Sequence, residues 1–312
     1  MVPVLDSSLS SPSDRQAAEL FRACRPGVEL RSLVYLGAGD FCRAYLRNGH
    51  EVVRVPRHAE ARRALIREAC VLPRLAPLLS APVPGTEVYV DGAGESLISI
   101  HERLTGAELT LELWRQLPDP ERALSAHRLG EFLESLHRID AGVSRDCGVP
   151  VVDHGARASQ LLDVVRGDGG AVLPQPERQA LGEWLSRYAV GGPDWDYAPV
   201  TLHADVSPEH VLVSAVSATI TGVIDWGDVC IGDPARDFIY LYEDWGPEFL
   251  GFVLDGYSLE SSNRILPRIH MHYVIDQLAW TLDAGRDRRV DDVEHGVEAL
   301  RSALADLESS AP

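Results

Sequence analysis

The sequence predicts an α+β protein in two lobes, a small antiparallel sheet with one helix followed by a mainly helical region. Short apolar runs broken by turn residues fill the stretch from Val28 to Ile100, long amphipathic helical periodicity takes over after Gly106, and a short strand-like pair reappears between residues 201 and 224.

Taken in chain order, residues 1–25 read as a loose leader, because Met1 to Asp14 is rich in Ser, Pro and Asp and has neither a basic start nor an apolar core. The N-terminal lobe is placed at 26–105. Leu33–Leu36, Ala44–Leu46 and Glu51–Val55 form three strand candidates joined by Gly, Asn and Asp. Ala61, Leu65, Ala69 and Leu72 recur at helical spacing up to Pro73, which belongs in a last turn or just past it. Strand candidates Thr86–Val90 and Ser96–Ile100 flank a Gly92-Ala93-Gly94 turn. The C-terminal lobe is placed at 106–312. There Leu129, Phe132, Leu133, Leu136 and Ile139 trace one face of a helix, Glu177–Tyr188 gives a second, and Val297, Leu300, Leu304 and Leu307 a closing one.

A chain of 312 residues that is 45% apolar can bury a sizeable core and fill two domains. Its apolar runs fall short of the roughly 18 to 20 residues that cross a bilayer, so a cytoplasmic protein is expected. Five cysteines, an odd number with no C-x-x-C pair, indicate neither a disulfide framework nor a zinc site, and are read as reduced thiols. A net charge of −18 disfavours nucleic acid and anionic membrane as partners; it favours a cationic small molecule or simply keeps the chain soluble. The sequence leaves monomer and homodimer open.

Chemistry concentrates in two segments. In Leu202-His203-Ala204-Asp205-Val206-Ser207-Pro208-Glu209-His210, Asp205 precedes His210 by five positions, the spacing of base and second metal ligand in kinase catalytic loops. Twenty residues after Asp205, an apolar strand delivers Ile224-Asp225-Trp226-Gly227-Asp228, with Gly227 expected to permit the sharp turn. Phosphoryl transfer needs a carboxylate to take the acceptor proton, metal ligands, and cations on the phosphates. Asp205 is the candidate base and Asp225 a candidate magnesium ligand.

Together with Gly232-Asp233-Pro234-Ala235-Arg236-Asp237, these segments resemble the signature of aminoglycoside phosphotransferases over about residues 30 to 285. Ser207-Pro208-Glu209-His210 and Phe238 to Asp244 look most similar to the 2″-aminoglycoside group. The resemblance implies a protein-kinase-like two-lobe fold, ATP or GTP with Mg2+ in the cleft, and phosphorylation of a hydroxyl on an antibiotic. It implies that Asp205 is the base, that His203 supports the loop, that His210 and Asp225 flank magnesium, and that Asp233 and Asp237 brace the loop. His210 stands where most kinases have Asn.

For the nucleotide, Gly37 and Gly39 lie in a stretch that resembles a phosphate-covering loop, or else an ordinary hairpin. Arg54 occupies the place of the phosphate-pairing lysine, with Glu68 as its ion-pair partner; the plain alternative is a surface charge on each. Ile100 and Glu102 fall in a segment resembling the interlobe hinge. For a polyammonium acceptor, Asp228, Glu243 and Asp244 are the candidate carboxylates and Trp245 or Trp280 a candidate wall, against a solvated acidic face and core tryptophans. Rival readings are a macrolide 2′-phosphotransferase, a metabolic small-molecule kinase and a nucleotide-binding pseudokinase. A protein kinase is disfavoured, since no Ala-Pro-Glu follows Asp225.

Overall fold

In the computed structural model, residues 12–188, 197–214, 217 and 219–309 are described. Helix α1 (Pro12–Cys24) opens the chain and corrects the expectation of a loose leader over that span. Its Ala17, Ala18, Phe21 and Cys24 form one apolar face, buried against Leu33, Tyr45, Val53, Ile98 and Ile100 of the sheet. The Ser- and Pro-rich start obscured this stripe.

The sheet comprises β1 (Leu33–Ala38), β2 (Cys42–Arg47), β3 (Glu51–Pro56), β4 (Glu87–Val90) and β5 (Leu97–Glu102), ordered β1-β2-β3-β5-β4 and antiparallel throughout. Because side chains alternate along a strand, Val53 and Ile100 face α1 while their neighbours Arg54 and Ser99 face the other way, and the register pairs Arg54 with Ser99. On that second side lies α2 (Ala59–Leu75), capped by the His58 imidazole and carrying Pro73 in its last turn. Its end does not stay with the sheet. Val71, Leu72 and Leu75 enter the largest apolar core, beside Trp114, Phe132 and Trp226.

The remaining elements are β6 (Ala107–Glu108), α3 (Leu111–Gln116), α4 (Asp119–His137), α5 (Ala141–Arg145), α6 (His154–Arg166), α7 (Gln175–Tyr188), β7 (Val200–Leu202), β8 (Val211–Val213), β9 (Ile220–Val223), β10 (Cys230–Gly232), α8 (Ile239–Glu243), α9 (Pro247–Asp255), α10 (Ser262–Arg286) and α11 (Val290–Ser309). Two small sheets, β6-β8-β9 and β10-β7, hold the chemistry-bearing loops against the helices. A second apolar core joins α6, α7, α10 and α11. The 25-residue α10 escaped the sequence reading; Pro267 sits inside it, where helical patterning is usually taken to break.

Cys70 on α2 and Cys147 just past α5 are joined in a disulfide, which overturns the expectation of five reduced thiols. Their sequence separation of 77 gave no hint of it; adjacency comes from α2 packing beside α5. No helix among the described residues is long and apolar enough to cross a membrane.

Candidate active site

Beyond β7 the chain turns sharply at Ala204, whose φ of 69° is costly for a residue with a Cβ. The turn is held by Asp237: its Oδ2 accepts from His203 N (3.1 Å) and its Oδ1 from Ala204 N (2.6 Å). Asp237 is itself fixed by His137 Nε2 at 3.0 Å, whose Nδ1 meets the Tyr257 hydroxyl at 3.0 Å. His203 lies beneath the loop, fully buried. Its Nε2 donates to the Ile224 carbonyl (3.0 Å) and its Nδ1 accepts from Asp205 N (3.2 Å), a neutral tautomer that burial favours by lowering the pKa. One imidazole thus straps the Asp205 loop to the strand leading into Asp225.

Three functional groups converge above that strap. His210 Nδ1 lies 2.9 Å from the Asp205 carbonyl oxygen, to which it donates, and 3.3 Å from Asp205 Oδ2. This leaves its Nε2 lone pair turned toward Asp225 Oδ2, 3.7 Å away. Burial pushes the Asp205 carboxyl up to about 6; His210 opposes the rise, and Asp228, Asp225 and Glu209 add to it. Asp225 itself takes the left-handed backbone (φ 60°), so the sharp turn expected of Gly227 is made by the functional residue.

Facing these groups is the sheet wall. Arg54 forms a buried ion pair with Glu68, its Nε donates to Ser99 Oγ at 3.3 Å, and its Nη1 lies 3.8 Å from Asp225 Oδ1. Thr86 Oγ1 donates to Glu68 Oε1 at 2.8 Å. Thr86 and Ser99 were not anticipated, and no local motif marks them. A cleft of about 540 Å3 between the two walls is lined by Gly37, Gly39, Arg54, Asp205, Glu209, His210, Asp225 and Asp228, among others. A Cβ added at Gly37 or Gly39 would meet no atom within 4 Å, and neither has positive φ, so the protein itself does not demand glycine there.

Several sequence candidates fall outside the cleft lining. Ile100 is part of the core under α1, and Glu102 is exposed at the end of β5. Trp245 is buried, stacked on Phe249 with its indole N–H donated to the Leu109 carbonyl, which excludes it as an acceptor wall. Trp280 packs against His295 and Arg289 of the α10–α11 pair and likewise does not join the site. Asp233 braces α10 rather than the loop, through Arg268 and His272, because the 3₁₀ turn from Pro234 to Phe238 points it away from Asp237. Glu243 and Asp244 sit on the shoulder beyond Tyr240. Burial pushes Glu243 up to about 7, with Asp244 and Asp276 adding, and Asp244 up to about 6, with Glu209 adding. Asp276, held by Tyr240 and Arg236, completes this shoulder and was missed because it lies on α10.

Among the described residues no three His, Cys, Asp or Glu side chains form a metal cage. The Asp225 carboxylate suits a cation that takes its remaining ligands from phosphate oxygens and water, as magnesium does; the His210 Nε2 beside it, 3.7 Å from Oδ2, is a poorer ligand for so hard an ion.

An antiparallel sheet wall carrying a buried Arg–Glu pair, set over a strained Asp-bearing loop and a second Asp on a strand end, defines a kinase-like phosphotransferase. Residues 40–272 match the phosphotransferase enzyme family, and the chain belongs to it, the family of the aminoglycoside phosphotransferases. It is a small-molecule O-phosphotransferase. The chain superposes on the GDP and kanamycin complex of the aminoglycoside phosphotransferase APH(2″)-IIIa with a TM-score of 0.84 and 26% identity, covering 93% of this chain and 99% of that one. A macrolide 2′-phosphotransferase from Brachybacterium faecium shares the fold at a TM-score of 0.67 and 24% identity, over 91% and 97% of the two chains. Viomycin phosphotransferase of Streptomyces vinaceus is 31% identical over 104 residues, 32% of this chain and 35% of its own.

Proposed function

We propose that this enzyme transfers the terminal phosphoryl group of ATP or GTP, with Mg2+, to a hydroxyl of a polycationic aminoglycoside, inactivating an antibiotic in the cytoplasm. The observation that carries the reading is Asp205, a half-buried carboxylate with its pKa pushed up to about 6, held by His210 at the floor of a cleft whose opposite wall presents Arg54. A carboxylate poised near neutrality, rather than one fully acidic, is suited to accept a hydroxyl proton as the phosphoryl bond forms. Arg54, fixed by Glu68 and Ser99, steadies the phosphates without having to reorganise. Gly37 and Gly39 keep the β1–β2 turn clear of side chains so that backbone N–H groups can approach phosphate. Asp225, with His210 beside it, would hold magnesium, which would supply charge neutralisation on the phosphates.

The acceptor reading rests on the shoulder of Glu243, Asp244 and Asp276 next to Tyr240. Burial and neighbouring carboxylates raise Glu243, and burial and Glu209 raise Asp244; ammonium groups would stabilise their charged forms, and an apolar macrolide would offer few. Likeness to a kanamycin-bound relative supports the same class. The test is coupled nucleotide turnover, with ATP and GTP separately, against kanamycin-, gentamicin-, hygromycin- and macrolide-type acceptors. Stimulation by an aminoglycoside is expected. Stimulation by macrolides alone would reassign the acceptor, and tight nucleotide binding with no stimulated turnover would indicate a pseudokinase.

A further inference from the structure

Of the five cysteines, three are kept as inert thiols by their surroundings: burial raises Cys24, pushes Cys42 up to about 11 and Cys230 up to about 12. Cys70 and Cys147 stand apart. They are half-buried, as Cys42 is, but they meet across the two halves of the molecule, and the Arg74 guanidinium lies against both sulfurs. A fixed cation favours the thiolate, the form that attacks a disulfide.

Each end of the bridge is close to one wall of the site. Cys70 is one position beyond Ala69 on α2, the helix whose Glu68 holds Arg54. Cys147 closes the turn after α5, its N–H donated to the Ser144 carbonyl, and the Ser144 hydroxyl meets Thr201 Oγ1 at 2.7 Å, on the strand that runs directly into His203. We propose that Cys70 and Cys147 are a reversible redox-modification site that locks α2 to α5, and with it the Arg54 wall to the Asp205 loop, when a small-molecule disulfide such as oxidised glutathione oxidises the pair.

The exchange balances. A Cys thiolate attacks one glutathione sulfur and releases glutathione thiolate. The second Cys thiolate then attacks the mixed disulfide, forming the Cys70–Cys147 bond and releasing the second glutathione. Two protein thiols lose two electrons and two protons, and one glutathione disulfide is reduced to two thiols. Excess reduced thiol reverses both steps.

Thiol counting in denaturant, after equilibration of the native enzyme with glutathione buffers, reads the site without reference to catalysis. Three titratable thiols are expected in the oxidised protein and five in the reduced one. The oxidised form should melt several degrees higher, because the bridge closes a long loop in the unfolded chain. Its nucleotide Kd should be lower, by about threefold or more. Cys70→Ser and Cys147→Ser should each abolish the redox dependence of melting and of nucleotide Kd while retaining the fold by circular dichroism. Five thiols at every buffer ratio would overturn the site. Two-thiol loss that also occurs in Cys70→Ser would assign it to other cysteines. Bridge formation with no change in nucleotide Kd would overturn the lock on the active site.

Discussion

On the sheet wall of the cleft the central ion pair is closed within the protein: Arg54 is met by Glu68, Glu68 Oε1 by Arg54 and Thr86, and the Arg54 Nε by Ser99. On the shoulder below, Glu243 has Gln277 as a hydrogen-bond donor at 2.7 Å, yet its charged neighbours are the carboxylates Asp244 and Asp276, and its pKa rises to about 7. The first wall is preorganised, so a ligand need not pay to order it. On the second, Arg236 pairs with Asp276, while Glu243 and Asp244 are met by no cation among the described residues and can take one from outside. A site built this way should bind its anionic partner by geometry and its cationic partner by charge.

The sharpest way to break the comparison is at its centre. Asp205→Ala should reduce phosphoryl transfer on the order of 10³-fold while nucleotide affinity stays within a few-fold, measured by steady-state turnover and equilibrium binding. Turnover retained within about tenfold, or 1.4 kcal/mol, would exclude Asp205 as the base.

Next comes the sheet wall. Glu68→Gln removes the nearest counter-ion of the nearly enclosed Arg54, leaving only the more exposed Asp225 at 3.8 Å, and should cost about 3 kcal/mol in urea unfolding. The KM for nucleotide should rise with it. Asp237→Asn should cost somewhat less, about 1–3 kcal/mol, because an amide can accept from only one of the two backbone N–H groups at His203 and Ala204. Its kcat should fall more than its KM, since the loop and not the ligand loses its support.

The shoulder predicts the smallest effect and a distinctive pH profile. Glu243 is protonated below about 7 and charged above it, so affinity for an aminoglycoside should increase as pH rises through that value. Glu243→Gln should flatten the profile and weaken binding at pH 8 by less than about tenfold, as for an exposed charge pair. An unchanged KM profile in the variant would remove Glu243 from the acceptor site.

Much of the sheet wall was readable from the chain. The Arg54–Glu68 pair follows from a strand followed at once by a helix, with both charged side chains on the faces those periods bring together. Asp205, His210 and Asp225 were readable because the strands that carry them are short and the intervals between them are fixed by one hairpin. The shoulder was only half readable: Glu243 and Asp244 are contiguous with the Gly-Asp-Pro-Ala-Arg-Asp segment, but Asp276 arrives from α10 about 30 residues later. The tryptophans misled for a related reason. An indole is equally suited to a ligand wall and to a core; Trp245 is fixed in the core by its N–H to the Leu109 carbonyl, 136 residues earlier, and Trp280 by His295 on the next helix.

By itself the sequence determined the two-lobe α+β fold and which carboxylates and cations could serve phosphoryl transfer. Those depend on residue type and on short, local spacings. Three features were decided only by the tertiary structure: the division of labour between Asp237 and Asp233, the left-handed backbone at Ala204 and Asp225, and the meeting of Cys70 with Cys147. Each depends on how helices from distant parts of the chain pack into one core. That packing is set by the sum of many small apolar contacts and by no single motif.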